Sequence, residues 1–360
     1  MRVLLLHEPI LKGGTLHSMA RNVPKDRFLC AAQYMIREGV QVDIGKHSSN
    51  SVLKFLTKPL MPFFVDLPDA IRNCGGFYKY DILFSISDYD AFGSELLRRL
   101  IQVHTPHVAI SYGLTNLISA SPRARSIKKV VGLNQFYKLL LNKISVLVVH
   151  SKPQMACLRA LLDIPSDRTE FLPLCVDADF FKPQSGTNSY VMSIGRDSGR
   201  DYGTLIRAFK KIDCPLRIVC GTKNLRKVPT PKNVITMIEI PYNSLRTTYQ
   251  DAKFIILPIR NYQSLSGQVA LLESLAMGKA VIATKCWGTT DYIEDGKTGF
   301  FVEAGNEIDL KRKIDYLLEN PDIAETVGRN GRKFVEDECS LSSFSKNVCK
   351  LLKTLTHSLQ

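Results

Sequence analysis

Short apolar runs alternate with amphipathic stretches along the whole chain. Arg2–Leu6 reads as a buried strand, and DRFLCAAQYMIRE as a helix stopped by Gly39. QVDI, DILFSIS, HVAIS and ISVLVVHS follow as strands. The second half restarts with the strand YVMSI, the helix TLIRAFKKI, and then LRIVCG, NVITMIEI, AKFIILPI, AVIAT and FFV. Strand and helix in alternation predict an α/β protein built on parallel, helix-covered sheets. The polar break PQSGTNS, Pro183–Ser189, separates two apolar-rich halves. It sets an N-terminal domain at 1–183, a C-terminal domain at 184–338 and a tail at 339–360. In that tail Leu341, Phe344, Val348, Leu351 and Leu352 share one helical face, so it is expected to dock.

The stretch from Ser266 to Val302 carries the most chemistry. Val269, Leu272, Leu275 and Ala276 fall at helical spacing, with Ser266 as the expected N-cap and Gly278 at the left-handed C-terminal position. A helix start with free N–H groups favours an anion, and Gly267 permits close approach. Glu273 lies inside this apolar helix. It is either a solvated glutamate or a carboxylate that accepts from ribose hydroxyls, as in dinucleotide folds. Arg196 and Arg200 sit in a Gly-flanked strand-to-helix loop after Gly195, where arginines can clamp a diphosphate or simply be solvated. Gly13 and Gly14 follow the first strand, where ligands of parallel sheets bind, although a plain turn fits equally well. The triplet Asp88-Tyr89-Asp90 opens a helix, so capping is a better reading than a divalent metal site.

At 360 residues the chain suits two domains, and 45% apolar with 23% charged residues is ordinary for a globular protein. No apolar run reaches the roughly 18 residues of a membrane span, and His7 and Glu8 interrupt the first run too early for a signal peptide. Nine scattered cysteines without zinc spacing suggest free thiols in a reducing cytosol. The net charge of +14 fits nucleic acid, an anionic membrane surface or a polyanionic substrate. No zinc-finger, P-loop or RNP-type pattern accompanies it, which ranks nucleic acid lowest. Two basic-apolar stretches, Val52–Val65 and Arg123–Lys143, suit an interfacial segment, an acceptor surface or ordinary packing.

The Ser266–Val302 stretch resembles the donor-site signature of family 4 glycosyltransferases, which are retaining enzymes of the GT-B fold. Glu273 matches the second glutamate of that signature, Gly278-Lys279-Ala280-Val281 its turn, and Asp295-Gly296-Lys297-Thr298-Gly299 its ending. Gly195-Arg196 resembles the start of the family's G-R-x-x-x-K-G segment, with Arg200 at the lysine. Val176-Asp177 to Pro183 resembles the family's V-D-x-x-x-F-x-P segment.

The resemblance implies two Rossmann-like, doubly wound domains facing across a cleft, with the acceptor on the N-terminal side and the last helix returning to that domain. It implies a nucleotide-diphosphate sugar donor of UDP or GDP type, no cofactor and no metal, and Arg196, Arg200 and Glu273 as the catalytic residues. Donor binding would involve Gly13, Gly14, Gly195, Arg196, Arg200, Glu239, Ile240, Pro241, Ser266, Gly267, Gln268 and Glu273. Glu239–Pro241 would meet the nucleobase, and a lysine would suffice at position 200. The acceptor would be a glycan, glycolipid or small molecule in cell-surface polysaccharide, lipopolysaccharide or glycolipid assembly. The expected location is cytoplasmic, with peripheral membrane contact. The chain departs from the pattern at Leu265, where the first glutamate would fall, and at Tyr112, where members often carry histidine. Those departures keep open a non-catalytic sugar-nucleotide-binding subunit, beside a GT-B epimerase and a charge-driven nucleic-acid binder.

Overall fold

The computed structural model describes residues 1–6, 27–45, 67–112, 138–225 and 228–357. Gly13, Gly14, Val52–Val65 and residues 123–137 of the second basic-apolar stretch lie outside them. Two compact units emerge. One holds the first strand, Phe28–Pro173 and the residues from Ser345 onward, and the other is built on Leu174–Phe344.

The first unit contains β1 (Arg2–Leu6), β2 (Gln41–Ile44), β3 (Ile82–Ser85), β4 (His107–Ser111), β5 (Val146–Val149) and β6 (Thr169–Phe171). They form one sheet in the order β2-β1-β3-β4-β5-β6, each pair parallel. β3, β4 and β5 are buried at every position. Such strands need cover on both faces, which is why apolar residues dominate them, with Ser85, His107 and Ser111 as buried polar exceptions. The helices are α1 (Arg27–Arg37), α2 (Leu67–Cys74), α3 (Asp88–Leu100) and α4 (Lys152–Leu162). Ser87 caps α3 by accepting from the Asp90 amide, and Asp88 and Asp90 stand in its first turn. Asp88 accepts from the Tyr112 amide at 2.9 Å and Asp90 from the Ser87 hydroxyl at 2.8 Å.

A largely buried polar chain ties α3 to this sheet. Arg98 grips Glu95 with two hydrogen bonds of 2.9 Å, and His107 Nδ1 donates to Glu95 Oε2 at 3.0 Å. Ser85 Oγ lies 2.8 Å from His107 Nε2. Burial alone would push the Glu95 carboxyl up, but the bonds from His107 and Arg98 outweigh it and hold the pKa at about 2.

The second unit contains β7 (Tyr190–Gly195), β8 (Leu216–Cys220), β9 (Val234–Ile238), β10 (Ala252–Leu257), β11 (Val281–Thr284) and β12 (Phe300–Val302). Their order is β12-β11-β10-β7-β8-β9, again all parallel. The chain runs outward from β7 through β8 to β9, then returns to β10 on the other side and continues outward. β7 and β10 therefore flank the switch point of a doubly wound sheet, the place where such sheets hold ligands. The helices are α5 (Tyr202–Phe209), α6 (Tyr242–Gln250), α7 (Gln268–Ala276), α8 (Glu307–Glu319) and α9 (Pro321–Phe334). Tyr202, Leu205, Phe209, Leu310 and Ile314 close one core against the buried faces of β7, β8 and β11.

The last helix, α10 (Leu341–His357), begins in the second unit and has its residues from Ser345 onward in the first. Leu341, Phe344, Val348 and Leu352 are buried along its apolar face, and Ser345 Oγ donates to the Ala31 carbonyl at 2.9 Å. Among the described residues no helix is long and apolar enough to cross a membrane, and the described cysteines are free thiols.

Candidate donor site at the sheet switch point

Two loops leave the switch point, Arg196–Asp201 after β7 and Pro258–Gly267 after β10. Backbone bonds stitch them together. The Asp201 amide donates to the Pro258 carbonyl and the Arg260 amide to the Gly199 carbonyl, both at 2.9 Å. Arg260 Nε donates to the Arg200 carbonyl at 2.9 Å. Asn224 braces the first loop from β8, donating to the Asp197 carbonyl and accepting from the Gly221 amide.

Arg200 lies at the centre of this arrangement and is only 4% exposed. Its side chain folds back over Gly195, where a Cβ would stand 1.9 Å from the Arg200 Nε. That Nε donates to Asp197 Oδ2 at 2.9 Å. Arg200 Nη1 is buried without a hydrogen-bond partner. A Cβ on Gly267 would lie 3.5 Å from this Nη1, which places the unpartnered nitrogen beside the turn that opens α7. A buried guanidinium N–H that bonds nothing is costly, and an anion relieves that cost.

The start of α7 differs from expectation in one respect. Gly267, not Ser266, is the N-cap, in left-handed conformation at φ 96° and without a side-chain cap bond. The tight turn needs positive φ, which serine adopts poorly, so the glycine takes the cap and itself offers no side chain to the first N–H groups of α7. Ser266 instead lies against the first loop, since a Cβ on Gly199 would come within 2.8 Å of its hydroxyl. Gly195, Arg200, Ser266, Gly267 and the start of Gln268 thus converge at one place. A cation and a helix N-terminus face it together, which is the chemistry of a phosphate site.

The other sequence-predicted residues are more spread out. Arg196 is exposed, with its stem packed beside Gly221 at the end of β8. Glu239 follows β9 at φ 51°, a left-handed conformation unusual for glutamate, and its amide donates to the Cys220 carbonyl at 3.3 Å. Ile240 is half-buried, and Pro241 caps α6. Glu273 stands six positions beyond the cap, about 9 Å along the helix. It is 7% exposed, which removes the solvated-glutamate reading, and it accepts from the Tyr249 hydroxyl at 3.0 Å.

Asp197, Asn224, Arg260 and Tyr249 were not legible as site residues. Asn224, Arg260 and Tyr249 act through partners distant in sequence, and Asp197 meets Arg200 three positions on only because of how the loop folds, so no local spacing marks them. In the first unit Tyr112 lies with its ring 4.9 Å from that of His150, and His150 Nδ1 donates to the Leu172 carbonyl at 2.7 Å. A histidine therefore stands beside Tyr112, supplied by β5 and not β4.

The far end of α7 is anchored. The Gly278 amide donates to the Leu275 carbonyl and the Lys279 amide to the Ser274 carbonyl, with Gly278 at φ 68°, a Schellman closure. Lys279 is structural. Its ammonium donates to Asn188 and to the carbonyls of Gln250 and Ala252, while burial lowers its pKa to about 8. Arg332 Nη1 donates to the carbonyls of Ala276, Phe181 and Ala178 at 2.7–2.8 Å, joining the Asp177–Pro183 segment to the end of the helix.

Comparison with known proteins bears on this site. Residues 177–334 match the family glycosyl transferases group 1. An uncharacterized glycosyltransferase of Methanocaldococcus jannaschii is 24% identical over 306 residues, covering 71% of this chain and 85% of that protein. The sucrose-phosphate synthase of Thermosynechococcus elongatus superposes with a TM-score of 0.73 at 17% identity, over 99% of each chain. Anabaena HepE in complex with UDP and glucose superposes with a TM-score of 0.71 at 13% identity, over 98% of this chain and 100% of that one. The chain thus has the GT-B fold, and within it residues 177–334 are similar to glycosyl transferases group 1.

Proposed function

We propose that the chain is a retaining, metal-independent glycosyltransferase that moves a sugar from a nucleotide-diphosphate sugar to a glycan, glycolipid or small-molecule acceptor. The observation that carries this reading is the buried Arg200 guanidinium, with Nη1 unpartnered beside the N-terminus of α7 at the sheet switch point. The diphosphate occupies that position. Its charge grows as the glycosidic bond breaks, so Arg200 and the helix start bind the transition state more tightly than the ground state. Arg196 supplies a second cation from the solvent side. Glu273 accepts from the ribose hydroxyls, and the backbone at Glu239–Pro241 meets the base.

A preorganised group of this kind contributes about 3–4 kcal/mol, or ~10²–10³ in rate. Departure of the diphosphate leaves an oxocarbenium-like centre, so no protein nucleophile is required. The test is donor hydrolysis and transfer across UDP- and GDP-sugars, followed by mass spectrometry with and without EDTA. Turnover of at least one donor, unchanged by EDTA, is expected. Loss of all activity in EDTA would remove the metal-independent part. Absence of hydrolysis and transfer with every donor and acceptor would favour a second reading, a sugar-nucleotide-binding subunit. Leu265 motivates that alternative, because it puts an apolar side chain where the family signature has a carboxylate.

A further inference from the structure

Tyr249 is wholly buried in α6, and its hydroxyl donates to Glu273 Oε2 at 3.0 Å. The ring is held in place by packing. Phe181 meets it edge-on at 6.0 Å, and Tyr242 in turn meets Phe181 edge-on at 5.5 Å. Burial pushes the Tyr249 phenol well up, and the Glu273 carboxylate pushes it further, so the hydroxyl remains a donor throughout the working pH range. Glu273 itself sits on the rigid, anchored helix α7 at 7% exposure. A fixed donor therefore meets a carboxylate that has few ways to turn.

We propose that Tyr249 is a positioning residue for Glu273: its hydroxyl sets the plane of the carboxylate so that Glu273 reads the vicinal diol of a bound nucleotide's ribose. The proposal rests on the nucleotide-sugar reading above. A carboxylate recognises two neighbouring hydroxyls only when its lone pairs lie along both donor directions. Free rotation about the last side-chain torsion, which is broad, spoils that alignment. One hydrogen bond to Oε2 from a ring that cannot move removes the rotation. The base and diphosphate contacts lie elsewhere, so the effect of Tyr249 is confined to the ribose.

The test uses the full chain and calorimetric titration with UDP, GDP and their 2′,3′-dideoxy forms. In the parent, the better-bound nucleotide is expected to lose roughly tenfold in affinity on removal of the ribose hydroxyls, the size of one charge-assisted hydrogen bond. Tyr249→Phe keeps the ring and removes only the donor. It should bind the dideoxy nucleotide as the parent does, and the ribose preference should shrink to about twofold or less. Added to Glu273→Gln, Tyr249→Phe should weaken nucleotide binding no further.

A purely structural role for the hydroxyl predicts a lower melting temperature with the full ribose preference retained, and that result overturns the proposal. Tyrosine NMR with the phenolic carbon labelled gives a readout in the unaltered chain. The Tyr249 signal should move on addition of the ribonucleotide and stay in place with the dideoxy form, and equal movement with both counts against the proposal. If the parent binds no nucleotide, or binds ribo and dideoxy forms alike, the donor-site reading fails first. Failure of the Tyr249 proposal alone shows as a parent with ribose preference and a Tyr249→Phe variant that keeps it.

Discussion

The side chain of Arg200 occupies the volume that any side chain at position 195 would need, since a Cβ there would stand 1.9 Å from the Arg200 Nε. Gly195 is therefore required twice, by the position of a guanidinium and by a backbone at φ 154° that L side chains rarely adopt. Gly195→Ala should displace that guanidinium and leave the rest of β7 in register. Nucleotide affinity is expected to fall by at least tenfold, or about 1.4 kcal/mol, with a modest loss of thermal stability. Titration of the folded variant at parental affinity would show that Arg200 does not hold the anion.

The same geometry favours the opposite order of importance for the two arginines. The family's lysine suggests that a point charge suffices at position 200. Yet Arg200 is buried and uses separate nitrogens, Nε for Asp197 and Nη1 beside Gly267, whereas Arg196 is exposed. A lysine has one nitrogen and cannot serve both places. Arg200→Lys should therefore lose about 10²-fold in kcat/KM, whereas Arg196→Lys should lose less than tenfold. Steady-state rates with the best donor check the order. Equal rates in the two variants would remove the distinction between a buried clamp and a solvent-side charge.

Much of the fold was legible because the strands are short apolar runs separated by helical periods. Tyr190–Gly195 and Ala252–Leu257 were readable as strands from composition alone. The strand order that makes their ends a binding site was not, because no local pattern records which strands pair. The three-residue β6 was missed for a related reason: Thr-Glu-Phe has no apolar run, and its place at the sheet edge is set by pairing with β5. At the site, Gly267 and Glu273 were readable from the helix they begin and occupy. The choice between Ser266 and Gly267 as cap turned on backbone conformation. Tyr249 was invisible, because a tyrosine in TTYQ gives no sign that it will meet a carboxylate twenty-four positions later.

The buried Glu95 sets an acid limit on the first unit. Its pKa is about 2 in the folded chain, against about 4.5 for an unperturbed glutamate. The folded state thus holds the proton more weakly than the unfolded state, and the carboxylate contributes stability above pH 4.5 that is lost as pH falls towards 2. The shift corresponds to roughly 3 kcal/mol across that window. Glu95→Gln should be less stable at neutral pH and should show a flatter stability profile between about pH 4.5 and 2. Urea titrations of both chains across that range decide it. An unchanged slope in the variant would mean that the acid limit lies in other carboxylates.

Stability and site chemistry should separate at the back of α7. A Cβ on Gly328 in α9 would lie 2.1 Å from the carbonyl oxygen of Gly278, the residue whose amide helps close the C-terminal turn of α7. That clash cannot be relieved by a side-chain rotation, so Gly328→Ala should cost roughly 2–3 kcal/mol as the two helices move apart. Arg332→Met removes the donor from the carbonyls of Ala276, Phe181 and Ala178, and should cost about 2–4 kcal/mol because the buried acceptors lose a charged partner. Neither residue is among those converging on Arg200, so at a temperature where each variant remains folded, kcat with saturating donor should stay within about threefold of the parent. Melting and turnover measured on the same samples test the separation. A variant that melts at the parental temperature but loses most of its turnover would mean that the anchored end of α7 reports directly on the donor site.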